Sequence, residues 1–264
     1  MKQVRDKPVA VVTGGRQGLG RGCALALADR GFDLVLIDLH DDEVSAQTTA
    51  MLQGRGAKVC FLQGDVSDLD GHAGLAKSAW DAFGGIDCLV NNAGVAPLQL
   101  SDVLTLTPEA FEHNIGINLR GNLFLSQAFA RLMKDAEPTE FYRSMVFITS
   151  IAANHVSVAI PEYCISKAGL SMVSGLFALT LADTGIHVHE VRPGFISTAM
   201  TSDETEGSPR AAIDAHIAAG RVPMNRWGEE QDVGRSVAML AAGELPFSVA
   251  HPIYVDGGYG IQTA

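Results

Sequence analysis

Short, continuous apolar runs recur along this chain, and a longer stretch with helical patterning separates each from the next. The runs are Val9–Thr13, Leu34–Asp38, Lys58–Leu62, Cys88–Asn91, Met145–Thr149, His187–Val191 and Ile253–Val255. Most are apolar throughout rather than alternating, so both faces of each strand must be covered. The intervals between the first six are long enough for crossover helices. The pattern predicts an α/β fold, a doubly wound seven-stranded parallel sheet with helices on both faces. No Ser/Gly linker, charge block or internal repeat interrupts the 264 residues, so a single domain over 1–264 is expected. One polar stretch, Ser197 to Arg226, is rich in Thr, Ser, Asp, Gly and Pro. A long polar insertion in a compact α/β fold is expected to serve as a lid, here over 197–226.

The formal net charge of −11 argues against binding nucleic acid, because a surface of that sign repels a phosphate backbone. The opening Met-Lys-Gln-Val-Arg-Asp-Lys-Pro is polar and offers no apolar stretch for a signal peptide. The nearest approach to a membrane span, Ala168 to Ala182, carries Ser, Thr and Gly throughout, so no membrane association is expected. Cys23, Cys60, Cys88 and Cys164 are scattered without a C-x-x-C pair and read as reduced thiols. A cytoplasmic protein is expected.

After the first run comes Thr13-Gly-Gly-Arg-Gln-Gly-Leu-Gly20, then a helical stretch from Arg21. A glycine-rich turn between strand and helix lets the backbone approach a pyrophosphate, and the helix N-terminus adds free N–H groups. Gly14, Gly18 and Gly20 follow T-G-x-x-x-G-x-G rather than G-x-G-x-x-G. Asp38 ends the second run, followed by Leu39. A carboxylate there can bond the adenosine ribose hydroxyls and repel a 2′-phosphate, which predicts NAD(H) over NADP(H). Arg16 in the loop works the other way, since it can draw a phosphate. Tyr163 and Lys167 stand one helical turn apart on one face. A cation fixed beside a phenol favours the phenolate, so the pair can pass a proton to or from an alcohol near neutrality.

Taken together these residues resemble the short-chain dehydrogenase/reductase family, over nearly the whole chain from Val9 to Gly258. The Thr13–Gly20 loop, Asn91-Asn-Ala-Gly94, Asn118 in Ile-Asn-Leu, Ser150, and Tyr163-x-x-x-Lys167 fall in the family's order. Ser150 precedes Tyr163 by the family's usual gap, and Pro193-Gly194 and Asp256-Gly-Gly258 complete the pattern. The resemblance implies a Rossmann-type fold and a role for each matching position. Tyr163 would be the general acid-base, and Lys167 would lower its pKa and hold the nicotinamide ribose. Ser150 would donate to the substrate oxygen. Asn118 would hold, through its main chain, a water joining Lys167 to solvent. Arg16, Gln17 and Leu19 would share the phosphate loop. Asp65 and Val66 would sit at the adenine edge. Asn91 to Gly94, with Ala93 among them, would lie beneath the adenosine ribose. Pro193, Gly194, Ile196 and Thr198 would line the nicotinamide. The implied reaction is NAD-dependent interconversion of a secondary alcohol and a ketone.

Many relatives with this pattern are 3-oxoacyl-[acyl-carrier-protein] reductases. Those usually carry arginine where Gln17 stands, lack an acid at Asp38, and have basic residues where Gly175, Leu179 and Thr184 stand. An acidic carrier protein is an unfavourable partner for so acidic a chain. A free small-molecule alcohol or ketone is expected: a polyol, a sugar derivative or a 3-hydroxyacyl compound. The carrier-protein reductase and a non-catalytic redox sensor are the alternatives; intact Ser150, Tyr163 and Lys167 argue against the latter. Val95, Ala96, Pro97, Ala152, Asn154, His155 and Pro161 are candidates for the substrate side. His187 and His189 point the same way on a strand but lack a third ligand, and no metal is expected. The charge-free Ala168–Ala182 and the sparsely charged Ala110–Met133 are expected to pair across a subunit axis. That fits the homotetramers common in the family, or a homodimer.

Overall fold

The computed structural model describes residues 5–201 and 209–261. Seven strands form one sheet in the order β3-β2-β1-β4-β5-β6-β7. They are β1 (Val9–Thr13), β2 (Asp33–Asp38), β3 (Val59–Gln63), β4 (Cys88–Asn91), β5 (Arg143–Ile148), β6 (Ile186–Pro193) and β7 (Pro252–Val255). Every neighbouring pair is parallel. The expected Rossmann-type fold is therefore the observed one, with strand ends shifted by a residue or two. Thr149 lies just beyond β5, and β6 runs on to Pro193.

Period-two alternation sends successive side chains to opposite faces, and both are apolar. Ala10, Val12, Leu34, Leu36, Cys88, Val90, Val146 and Ile148 face one layer. It includes α1 (Gly18–Asp29), α2 (Glu43–Gln53) and α8 (Glu230–Ala241). Val9, Val11, Val35, Ile37, Leu89, Met145, Phe147 and Val188 face the other. That layer is built from α3 (His72–Phe83), α5 (Asn122–Asp135) and α6 (Pro161–Thr180). α4 (Pro108–Ile115) packs beside α6, and α7 (Pro209–Ala218) follows β6.

Helix α1 crosses α8 at two facing glycines. A Cβ on Gly22 would stand 2.6 Å from the Glu230 carbonyl, and one on Gly234 would collide with the Gly22 carbonyl. Helix α2 starts on a capping box: Asp42 accepts from Val44 and Ser45 N–H, and the Ser45 hydroxyl accepts from Asp42 N–H. The acidic Asp41–Glu43 run thus begins a helix, as its composition suggests.

The stretch expected as one helix over Ala110–Met133 is divided. Between α4 and α5 the chain makes a π-helical segment, Gly116–Gly121. Helix α6 has the length and hydropathy of a membrane span, but Glu162, Ser166, Lys167 and Ser174 are buried on one of its faces. That is the pattern of a helix packed on a sheet.

Candidate active site

The order of winding reverses between β1 and β4, so a crevice opens beyond their carboxyl ends. Thr13 and Asn92 set its floor. The Thr13 hydroxyl donates to the Val90 carbonyl at 3.3 Å and accepts from the Asn92 and Ala93 N–H groups, each at 3.0 Å. The Asn92 amide donates to the Thr13 and Gly14 carbonyls at 2.9 and 3.2 Å. Gly14 has φ +64 and Gly18 φ +58, conformations that favour glycine. A Cβ on Gly14 would lie 2.9 Å from the Asn92 amide nitrogen, and one on Gly20 would strike the Gly14 carbonyl. At Gly14, Gly18 and Gly20 the loop forms a cradle without side chains. It leads into the first turn of α1, where Gln17 at the N-cap makes no side-chain capping bond. The free N–H groups and the helix dipole are thus left to an anion.

The cavity has a volume of about 350 Å³. Of the residues expected to bind the cofactor, Gly14, Arg16, Gln17, Gly18, Leu19, Asp38, Leu39, Asp65, Val66, Ala93, Gly94, Tyr163, Lys167 and Thr198 line it. The Asp38 carboxylate accepts the Arg16 N–H at 3.2 Å. The Arg16 guanidinium is turned to Asp42, with Nε donating at 2.8 Å and Nη2 paired with the other oxygen. That hydrogen bond holds the Asp42 carboxyl down at about 2.

Other expected residues lie off the cavity wall. Gly20 sits behind the cradle. Asn91 is buried and accepts from the Ser126 hydroxyl at 2.8 Å, so Asn92 rather than Asn91 meets the cleft. Pro193 pairs with Val255 across the sheet, and Gly194 packs on Asp256. Ile196 lines a neighbouring cavity of about 380 Å³ with Phe195, Met224 and Tyr254. Of the substrate-side candidates, Val95 lines the main cleft. His187 and His189 flank Tyr142: its ring stacks on His187, and its hydroxyl meets His189 Nε2 at 3.2 Å.

Asn118 is buried inside the π-helical segment. Its amide donates to the Val95 carbonyl at 3.0 Å and the Asn114 Oδ1 at 2.8 Å, and its Oδ1 accepts from Val95 N–H at 2.8 Å. The Asn122 amide reaches its carbonyl at 3.3 Å. Ser150 caps a short 3-10 turn, Ile151–Ala153, accepting from Ala152 N–H at 3.1 Å. Lys167 is buried, its Nζ donating to the Ile148 carbonyl at 3.1 Å and lying 5.7 Å from the Tyr163 ring centre.

Burial is the largest influence on the Tyr163 phenol and raises its pKa; the hydrogen bond with Ser150 opposes it. Burial lowers Lys167 to about 8. The ammonium donates to the Ile148 carbonyl and lies over the phenol ring, and Ser150 is the side chain that hydrogen-bonds the phenol.

Sequence reasoning did not single out Asn92 within the Asn91–Gly94 stretch, and it passed over His40, Gly64 and Thr149 as lining residues. Asn92 carried a legible signal, being the first residue past a strand beside a switch point. The others are brought in by loop course alone.

The sheet order, the glycine cradle and the facing Tyr163 and Lys167 define an oxidoreductase built on a dinucleotide-binding α/β fold. Comparison with known proteins makes the assignment specific. The family model described as enoyl-(acyl carrier protein) reductase matches residues 14–260. The chain belongs to the short-chain dehydrogenase/reductase family, whose oxidoreductases act on CH–OH groups. It is 32% identical over 252 residues to 2-dehydro-3-deoxy-D-gluconate 5-dehydrogenase of Escherichia coli, covering 95% of this chain and 94% of that one. It is 30% identical to L-rhamnose 1-dehydrogenase (NAD(P)(+)) of Azotobacter vinelandii, covering 96% of each. The crystal structure of a 3-oxoacyl-[acyl-carrier protein] reductase from Brucella melitensis in complex with NAD superposes with a TM-score of 0.94. That protein is 44% identical, with 99% of this chain and 100% of that one covered.

Proposed function

We propose that this protein is an NAD(H)-dependent oxidoreductase that interconverts a secondary alcohol and a ketone on a free small molecule. Its substrate class is a polyol, a sugar derivative or a 3-hydroxyacyl compound. The observation that carries this reading is that Tyr163 and Lys167 line the same cleft as the glycine cradle and Asp38. The dinucleotide, when bound, supplies or accepts the hydride. The glycine positions of the cradle and its uncapped helix N-terminus suit a pyrophosphate, and Asp38 suits a ribose diol. Arg16, held by Asp42, has its charge neutralised and is less free to recruit a 2′-phosphate.

Ser150 and Tyr163 then hold the substrate oxygen between them. In oxidation the phenol oxygen takes the hydroxyl proton; in reduction it returns one to the carbonyl. Lys167 holds the proton supply, with the Asn118 carbonyl in the unwound turn as the next acceptor toward solvent. Val95 bounds the substrate end, and the lid role falls to the 197–226 segment. Ala199–Thr201 and α7 belong to that segment, while 202–208 lie outside the described residues. We place the whole chain in one catalytic domain, in the cytoplasm, without a membrane or nucleic-acid partner.

The test is a panel of polyols, sugar acids, hydroxy acids and 3-hydroxyacyl-CoA esters, read by NADH absorbance with both dinucleotides. Asp38→Ala is expected to raise the NADP(H)/NAD(H) ratio of kcat/KM by about tenfold or more. An unchanged ratio would show that Asp38 does not read the ribose. A carrier-protein thioester as the sole substrate turned over would replace the free-substrate reading with the reductase named for the Brucella relative.

A further inference from the structure

Strand β6 carries a charged pair in its interior. Glu190 and Arg192 are both buried, two residues apart, on the face that packs against α6. Every polar arm of the pair is engaged. Glu190 Oε1 accepts the Arg192 Nε at 2.6 Å and the Thr149 hydroxyl at 2.7 Å. Glu190 Oε2 accepts the Ser171 and Ser174 hydroxyls of α6 at 2.9 and 3.3 Å. Arg192 Nη2 donates to the Ser171 oxygen at 2.7 Å, and Nη1 donates to the Tyr254 phenol oxygen at 2.9 Å. The Arg192 guanidinium also lies 5.5 Å from the centre of the Tyr254 ring, its direct neighbour in register on β7. The Tyr254 oxygen in turn accepts the Asn154 amide at 2.8 Å.

The two ends of this chain of bonds fall on one short segment. Thr149 is the residue before Ser150, and Asn154 is the C-cap of the turn that Ser150 caps at its start. The Glu190 arm therefore grips the entry of the Ser150 turn and the Tyr254 arm grips its exit, with Arg192 joining the two. An apolar core at this place would be no less stable, because taking two charges out of water costs about what their attraction returns. What a fully satisfied network adds is a fixed geometry.

We propose that Glu190, Arg192 and Tyr254 are positioning residues for Ser150, a clamp that sets where its hydroxyl meets the substrate oxygen. This rests on the alcohol/ketone reading above. None of the three lines the dinucleotide cavity, which the clamp meets only through Thr149, and the Tyr254 arm reaches the exit of the Ser150 turn away from it, so deleting that arm is expected to act on the substrate end of the reaction and to spare cofactor binding. It also ties the edge strand to the active site: Tyr254 is part of β7, yet one hydrogen bond separates it from the catalytic turn.

Tyr254→Phe tests this with the least disturbance, since it deletes one oxygen and keeps the ring under Arg192. Hydrogen exchange on the full chain is expected to speed up at the Ala152, Ala153, Asn154 and His155 amides, with the Tm close to that of the parent. Turnover of the best panel substrate is expected to fall roughly tenfold in kcat, while NADH affinity by fluorescence titration holds. In a Ser150→Ala background the same change is expected to cost nothing further, because the group it positions is gone. Unchanged exchange across the turn overturns the clamp. So does a kcat loss that multiplies in full on top of Ser150→Ala, or a parallel loss of NADH affinity. If the parent protein turns over no alcohol or ketone, the functional reading fails instead, and the exchange data alone judge the clamp.

Discussion

Lys167 is a cation almost wholly buried at the wall of the cleft. Burial lowers it to about 8 from its ordinary 10.5. Below about pH 8 both folded and unfolded chains carry this charge, and the folded one bears the full cost of burying it. As pH rises from about 8 toward 10.5 the unfolded chain keeps a proton the folded chain has released, so stability climbs. Lys167→Met is therefore expected to raise the Tm at pH 7 by about 5 °C, to flatten that alkaline climb, and to abolish turnover. Calorimetry across pH with a parallel assay checks it; a lower Tm would mean that the bond to Ile148 outweighs desolvation. Tyr163→Phe is expected to fold and bind NADH normally, but to lose about three orders of magnitude in kcat. Retained turnover would remove the phenol from the proton path.

At the scale of elements, two joints set the site. One is the α1–α8 crossing, close enough to hold the cradle's helix against the sheet. Gly22→Ala puts a methyl 2.6 Å from the Glu230 carbonyl, a backbone atom that moves only with its helix. A loss of about 1–3 kcal/mol in denaturant unfolding is expected; an unchanged midpoint would show that the crossing has slack. The other joint is the π-helical turn, Gly116–Gly121. An α-helix ties each carbonyl to the N–H four residues on, whereas here the side-chain amide of Asn122 reaches the Asn118 carbonyl. Periodicity shows this stretch as continuous helix, because the extra residue in one turn leaves the apolar pattern almost unchanged. The family motif singles out Asn118, but its broken helix was not legible in the sequence.

Across the whole molecule, the outer face of α6 is the conspicuous surface. Met172, Leu176 and Leu179 are 66%, 56% and 82% exposed, and Phe124 of α5 is 42% exposed. The sequence suggested burial all round for this helix; the chain by itself buries one face. We expect the other to meet a second copy in a homotetramer or homodimer. Leu179→Glu should shift sedimentation toward a smaller species with the fold intact by circular dichroism. A monomeric parent protein would refute this.

Strand number, parallel winding, the glycine-rich turn after β1 and the one-turn spacing of Tyr163 and Lys167 were all legible in the chain. Each depends on local chemistry: an apolar run long enough to be a buried strand, a glycine where a Cβ cannot fit, a fixed spacing on one helix. The fold alone settled which of two adjacent asparagines meets the cleft, since strand pairing places Asn92 on Thr13 and sends Asn91 inward. It also decided that Arg16 turns to Asp42, that burial governs the phenol and the ammonium, and that Glu190 and Tyr254 close on one turn from opposite sides. Those outcomes depend on distances between residues far apart in sequence, and on how much water packing leaves around a charge. Neither quantity exists until the sheet has formed.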